Sequence, residues 1–371
     1  MKNMPLYKQI KKNIIEKIIS GDLRVGDLVP SESEIMNEYN VSQITAKNAL
    51  NGLVDDGIIY RMQGKGSFVS KDAPILSPKP ILGDKSGTEN KKLNGIIGVL
   101  FPYLNTKLEY RLLYYLDFFL YQSGYQMLLH NCHESKEEES RTLKNYLSLG
   151  VDGMIIFPAV NEQYNESILR LSLDRFPLVL IDRYFKGINT FHVVSDNYKG
   201  VYDAVTILLN KGHRRIAYLS PKIINSTTED RSIGFEKAFQ DKNLSIDKNL
   251  WLTSLDSTNN DEDFGTVLRF YRNNPNITAV FTVDVHMLDL TMQALRQLNR
   301  KVPDDIEIFT FDEPEQPGIN YILQDYKAIA KAAVDLLLAQ KRPSSSPERV
   351  RVIPVKLVLR SLNCWNVPRS C

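Results

Sequence analysis

The chain has 371 residues, 43% hydrophobic and 24% charged, a balance that excludes a disordered, collagenous or coiled-coil polypeptide and fits two or three packed domains. Lys plus Arg number 46 and Asp plus Glu 44, and a formal charge of +2 excludes a polycation holding nucleic acid by bulk charge. Cys132, Cys364 and Cys371 are widely spaced without metal-ligand spacing, and no run approaches the ~20 apolar residues of a membrane span, so a reducing, cytoplasmic setting without a membrane partner is expected.

From the N-terminus, the spacing of Leu6, Ile10, Ile14, Ile15 and Ile18 predicts a helix that stops before Gly21. Ser31 with Glu34 three residues later is a capping box, opening a short helix to about Tyr39. Asn40 and Val41 turn the chain. Ser42 then caps a third helix, with Ala46, Ala49, Leu50, Leu53 and Val54 inward and Gly57 at its end. Two short strands, 58–61 and 67–70, flank the turn made by Gln63, Gly64, Lys65 and Gly66. Three helices and a β-ribbon in this order predict a winged helix-turn-helix (α+β) over residues 1–71. Residues 72–94, with Pro74, Pro78, Pro80, Gly83 and Gly87 and little apolar periodicity, read as a linker. Residues 1–71 hold ten Lys and Arg against eight Asp and Glu, so the other 300 hold 36 of each and the net charge lies wholly in the small part.

Beyond the linker, β-branched runs alternate with amphipathic helices. Strands are expected at 95–101, 125–129, 153–157, 178–181, 216–219, 279–283 and 306–311, with a helix at 108–123. A βαβ pattern of this length predicts two α/β lobes with parallel sheets over residues 95–365, whose ligands sit beyond the carboxyl ends of strands.

In a helix-turn-helix the second helix enters the major groove with its first-turn side chains at base edges. Here these are Ser42, Gln43, Ile44, Thr45 and Lys47. Gln43 suits adenine, Lys47 guanine or phosphate, and Thr45 a phosphate; Gln63, Gly64 and Lys65 at the wing tip suit the adjacent minor groove. Singly, each residue fits a polar surface helix or an ordinary hairpin equally well. Caps, turn and wing in the right order favour DNA.

The runs 30–35, 41–47, 53–59 and 63–69, with the capping box, the Asp55, Asp56, Gly57 turn and the Gly64, Lys65, Gly66 wing, resemble the GntR-family DNA-binding domain over residues 4–71. The resemblance implies contacts to bases or flanking backbone for Glu32, Gln43, Lys47 and Gln63. Members commonly carry Arg where this chain has Gln43 and Lys47, which implies an atypical half-site. From residue 95 to about 365 the chain resembles the LacI/GalR effector-binding domain, which has the periplasmic sugar-binding-protein fold. The landmarks are Ile97, Gly98 and Val99; Gly150, Val151, Asp152 and Gly153; Leu180, Ile181, Asp182 and Arg183; Ser195, Asp196 and Asn197 with Gly200; Gly212, His213 and Arg214; and Arg231 with Gly234. The combination is similar to the arabinose-repressor subfamily, whose members sense sugars.

This second resemblance implies effector contacts for Asp182, Arg183, Arg231, Asp284, Asp312 and Gln324. Carboxylates, a guanidinium fork and an amide supply the paired donors and acceptors that sugar hydroxyls need, and Tyr103 or Phe185 could stack on a pyranose face. Ion pairing is the competing role for Asp182, Arg183 and Arg231, the last of which is expected to open a helix. Val283 before Asp284 and Glu313 after Asp312 depart from the family pattern, the first implying a less polar ligand edge. His130, Cys132, His133 and Glu134 form a metal-like cluster, but residues close together on an extended segment point to opposite faces, so neither a metal nor another cofactor is expected. His133 or Glu134 could touch a sugar instead. Glu137, Glu138 and Glu139 read as the solvated first turn of a helix.

Walker, G-x-S-x-G, H-E-x-x-H and G-x-G-x-x-G patterns with catalytic context are absent, and no catalytic residue is expected. The expectation is a homodimeric transcription regulator, a repressor of carbohydrate-utilisation genes, that binds double-stranded operator DNA and is released by a sugar or sugar-derivative effector, phosphorylated or not. A sugar-processing enzyme with an accessory DNA-binding head, and an effector-independent DNA-binding protein, stay open as alternatives.

Overall fold

The computed structural model describes residues 5–19, 22–55, 58–62, 65–70, 93–159, 164–255, 260–316, 318–342 and 347–360. Gly21, Gly57, Gln63, Gly64, Cys364, Cys371 and nearly all of the expected linker lie outside the described residues. Two compact units are present, Met1–Asn90 and Lys91–Cys371. Among the described residues no helix is long and apolar enough to cross a membrane.

The small unit contains α1 (Leu6–Ile19), β1 (Leu28–Val29), α2 (Glu32–Tyr39), α3 (Gln43–Asp55), β2 (Ile59–Met62) and β3 (Gly66–Val69). The capping box forms as its spacing requires: Glu34 N donates to Ser31 Oγ at 3.3 Å and Ser31 N donates to Glu34 Oε2 at 2.8 Å. Asn40 ends α2 in the left-handed region at φ 49°, which turns the chain into α3. Ile10, Ile14, Ile35, Ala46, Ala49, Leu50 and Leu53 meet in one core with Ile59 and Val69 of the ribbon. Val54 is only partly buried. The antiparallel sheet has the order β1-β3-β2; β1, two residues long, is too short to show periodicity and was not expected.

The large unit has two lobes built on two six-stranded sheets. Its elements are β4 (Gly95–Phe101), α4 (Lys107–Gln122), β5 (Tyr125–Asn131), α5 (Lys136–Ser148), β6 (Gly153–Ile156), α6 (Glu166–Leu173), β7 (Leu178–Ile181), β8 (His192–Ser195), α7 (Asn197–Asn210), β9 (Ile216–Pro221), α8 (Ser226–Asp241), β10 (Trp251–Leu255), α9 (Asn260–Asn273), β11 (Ala279–Thr282), α10 (Val285–Gln297), β12 (Glu307–Phe311), β13 (Asn320–Leu323), α11 (Tyr326–Gln340), β14 (Val350–Ile353) and β15 (Lys356–Val358). One sheet, β14-β8-β7-β6-β4-β5, is parallel throughout. The other, β10-β9-β11-β12-β13-β15, is parallel except for its edge strand β15, which runs antiparallel to β13.

Topology brings the chain across from lobe to lobe at Asp196, between β8 and α7, at Gln324 and Asp325, between β13 and α11, and at Pro354 and Val355, between β14 and β15. Asp196 N donates to Ile353 O at 2.9 Å, tying two crossings together. In the second lobe α7 and α8 lie against each other, and Gly234 makes this possible because a Cβ there would overlap the Tyr198 carbonyl oxygen. The buried face of α8, with Phe235 and Phe239, joins Tyr218, Phe281 and Phe309 in that lobe's core.

Candidate effector cleft and nucleic-acid interface

In the head, α3 turns Ala46, Ala49, Leu50 and Leu53 inward and leaves Gln43, Ile44, Lys47 and Asn48 exposed. Ser42 Oγ accepts from Thr45 N at 3.3 Å and lies 2.9 Å from Thr45 Oγ1, so the two hydroxyls pair at the start of the helix. Gln43 Nε2 donates to Glu32 Oε2 at 3.5 Å, and the other oxygen of Glu32 faces Arg61 Nη2 at 3.9 Å. Glu32 therefore sits between α2, α3 and the ribbon, with Gln43 beside it. Lys65 is exposed just before β3. Arg61, on β2, adds a cation to this face without a sequence motif to mark it.

In the large unit the expected effector residues gather at the carboxyl ends of strands from both lobes. From the first lobe come Tyr103 after β4, Glu134 after β5, and Asp182 and Arg183 after β7. From the second come Arg231 on α8, Asp284 after β11, Asp312 after β12 and Gln324 after β13.

Arg183 is buried. Its guanidinium donates to Pro158 O at 2.8 Å, Tyr103 Oη at 3.2 Å and Glu134 Oε1 at 3.4 Å, and it covers the Phe157 ring 4.9 Å from the centroid. Arg231 lies within α8 and does not open it: Asn225 caps a helix that begins at Ser226, because the polar run from Ser226 to Glu229 is already helical. The Arg231 guanidinium donates to Asn197 Oδ1 at 2.9 Å and Val283 O at 2.5 Å, and stacks 3.5 Å from the centroid of Phe311.

Asp182 and Asp312 both end strands in the left-handed region, at φ 62° and 70°. Burial raises the Asp182 carboxyl, opposed by the charges of Arg231 and Arg183. Burial likewise pushes Asp312 up to about 6, against Arg231 and a hydrogen bond from Gln324. Asp312 Oδ1 accepts from Gln324 Nε2 at 2.7 Å and Tyr326 Oη at 3.2 Å. Asp284 caps α10, accepting from Met287 N at 2.8 Å through Oδ1. Glu109, on α4, is buried beside this group; burial raises its carboxyl, with the Asp182 charge contributing. Contacts cross the cleft rim on both sides, Arg111 to Glu313 at 2.9 Å and Tyr184 Oη to Asp230 at 3.2 Å.

Several expected residues stand elsewhere. His133 is exposed at φ 49°, and it is the next residue, Glu134, that turns toward Arg183. Phe185 is buried in the first lobe's core with its ring stacked on Tyr164 at 4.5 Å, so that face is closed to a sugar; Tyr103 is less enclosed. His130 pairs with Glu138 at 3.0 Å, and Cys132 is buried, its thiol pushed up to about 12 by that burial. Among the described residues no group of three or more His, Cys, Asp and Glu could hold a metal ion. Glu139 does not join a solvated turn: it is buried, accepting from Ala159 N at 3.0 Å and Asn165 Nδ2 at 2.7 Å, donors distant in sequence. Glu109, Thr227 and Tyr326 join the cleft without a motif of their own to mark them.

Residues 6–69 match the family described as bacterial regulatory proteins, gntR family, and residues 205–361 match a periplasmic binding protein-like domain. An arabinose metabolism transcriptional repressor of Geobacillus stearothermophilus is 27% identical over 317 residues, covering 84% of this chain and 83% of its own. Among solved structures, a transcriptional regulator CelR–cellobiose complex is similar with a TM-score of 0.65 at 17% identity, over 89% of this chain and 94% of that one. The transcription regulator CcpA of Lactococcus lactis gives 0.63 at 19% identity, over 72% and 98%. These structural likenesses establish the two-lobed fold.

Proposed function

From a chain that carries a GntR-type DNA-binding region and a periplasmic-binding-protein-like domain, we propose a cytoplasmic, homodimeric repressor of sugar-utilisation genes that leaves its operator when a neutral sugar fills the cleft. The observation that carries this reading is that Asp182 and Asp312, one from each lobe, both end strands in left-handed turns near the buried guanidinium of Arg231, whose charge opposes the burial-driven rise of each carboxyl. A ligand held by both carboxylates bridges the lobes, so its binding energy acts on the lobe-to-lobe arrangement. The curated relative is a regulator, and the cleft is read as a binding site, not a catalytic one.

The charges argue for a neutral ligand. Asp182, Asp284, Asp312, Glu109 and Glu134 surround Arg183 and Arg231, and both guanidiniums already serve protein acceptors. A phosphate or uronate would meet more carboxylates than guanidiniums there, whereas sugar hydroxyls donate to carboxylates at little cost. The relative's name makes arabinose the first candidate. Dimerisation is supported by the small excess of positive charge: one head neutralises few phosphates, and two linked heads reading two half-sites supply the affinity.

A thermal-shift screen of neutral monosaccharides against their phosphates tests the ligand class, with operator release followed in a gel-shift titration. Stabilisation by a neutral sugar that also frees the operator is expected. Stabilisation by sugar phosphates alone would reverse the charge argument, and a stabilising sugar that left operator affinity unchanged would sink the release mechanism.

A further inference from the structure

Ile44 is an anomaly in the head. It is 72% exposed, in the first turn of α3, and takes no part in the apolar cluster that the helix buries. At 100° per residue it stands about 160° around the helix from Ala46, near the middle of the face turned away from the core. A β-branched side chain there lowers helix propensity and buries nothing in the folded head. Its neighbours on the chain are already engaged: Gln43 leans on Glu32, and the Thr45 and Ser42 hydroxyls pair with each other.

We infer that Ile44 reads the 5-methyl group of a thymine in the major groove, and this rests on the reading of residues 6–69 as the DNA-binding head. The thymine methyl is the one apolar group that a base pair presents on that edge, and an isoleucine at the centre of the exposed face of a recognition helix is its chemical complement. Contact buries apolar surface on both partners. Gln43 and Lys47, flanking Ile44, supply polar contacts to adjacent positions, so the apolar side chain contributes discrimination at one base step and no salt dependence.

The test uses the full-length protein. A random duplex library is put through rounds of selection for binding, and each thymine of the enriched duplex is replaced singly by deoxyuridine, which removes the methyl and leaves the pairing edge intact. Affinities are measured by fluorescence anisotropy for the unaltered protein and for Ile44→Ala, whose fold is checked by thermal melting. One thymine should prove sensitive, with a loss of about fourfold for the unaltered protein, corresponding to one buried methyl. Ile44→Ala should bind the thymine and uracil duplexes equally. The inference is overturned if no thymine is sensitive, or if the same replacement weakens Ile44→Ala as much as the unaltered protein. A selection that enriches no sequence at all overturns the reading of the head as a specific DNA binder, and Ile44 falls with it.

Discussion

Ser195 donates its hydroxyl hydrogen to Gln324 Oε1, joining residues at two of the crossings between the lobes of the large unit. Gln324 Nε2 donates in turn to Asp312 Oδ1 at 2.7 Å, so the amide links the crossing after β8 to a cleft carboxylate. Both Ser195 and Gln324 are buried. Replacing Ser195 by Ala leaves a buried amide oxygen without its donor, a loss of about 1 to 3 kcal/mol. Urea denaturation should show that loss, and effector affinity should weaken with it because Gln324 is freed to rotate away from Asp312. Unchanged stability and affinity in Ser195→Ala would mean that the link carries no load between crossing and cleft.

Asp312 makes stability depend on pH in a direction opposite to that of an ordinary salt-bridged aspartate. Its folded-state value of about 6 lies above the roughly 3.9 of an unfolded chain, so across that window the native state binds more protons than the unfolded one. The contribution of this residue to stability therefore falls as pH rises through the window and stays lowered at neutral pH. Asp312→Asn keeps an oxygen to accept from Gln324 and Tyr326 but has no charge to desolvate. Denaturation at pH 7.5 should find Asp312→Asn more stable, by about 2 to 3 kcal/mol at most, and the difference should shrink toward pH 4. Its effector affinity should drop at neutral pH, where the carboxylate is the acceptor for a sugar hydroxyl. A variant less stable at pH 7.5 than at pH 4, relative to the unaltered protein, would show that the charged form is favoured by the fold.

The head was largely legible because its signals are local. Ser31 and Glu34 lie three residues apart and cap each other, and the inward positions of α3 follow one periodicity. In the large unit β4 and β7 stood out as apolar runs, but β8 and β13 did not: each is four residues long and opens with a polar side chain. Asn320 is satisfied by Glu307 at 2.9 Å and His192 stacks on Tyr184 with ring centroids 4.5 Å apart, contacts between separate segments that exist only once the fold is made. The same cause hid Glu139, whose partners Ala159 and Asn165 come from other elements. Asp182, Asp312 and Gln324 were named through a family resemblance; the left-handed turns that aim the two aspartates leave no trace in composition or spacing. Ser195 and Asn197 stood in a landmark run, with no contact to suggest what they do in the cleft.

The packing of α7 on α8 gives a sharper stability test. Gly234 faces the Tyr198 carbonyl, and a methyl group added there forces the helices apart. Gly234→Ala gains helix propensity, so on an isolated helix it would stabilise; here overpacking should dominate and cost about 1 to 3 kcal/mol. Because Arg231 lies one turn away on the same helix, its bonds to Asn197 and Val283 should loosen, and effector affinity should fall together with the melting temperature. A stabilised Gly234→Ala would show that the two helices have room to part without loss.

The division of labour between head and sensor predicts opposite signatures for Lys47 and Arg231. Lys47 is exposed on α3, so Lys47→Ala removes one positive charge from the proposed DNA surface without disturbing the core. Operator affinity should fall, the slope of log affinity against log salt should lose about one unit if the contact is to a phosphate, and sugar affinity should stay as it was. Arg231→Ala removes the bonds to Asn197 and Val283 and the stack on Phe311, along with a positive charge that opposes the burial-driven rise of the Asp182 and Asp312 carboxyls. Each lost hydrogen bond from a charged group is worth about 1.5 to 3 kcal/mol, so the sensor should melt earlier and bind sugar poorly while the head still finds the operator. Repression would then persist in the presence of the sugar. Calorimetry with the sugar and anisotropy with the operator duplex separate the two variants, and equal losses in both measurements for either one would mean that reading and sensing are not carried by separate residues.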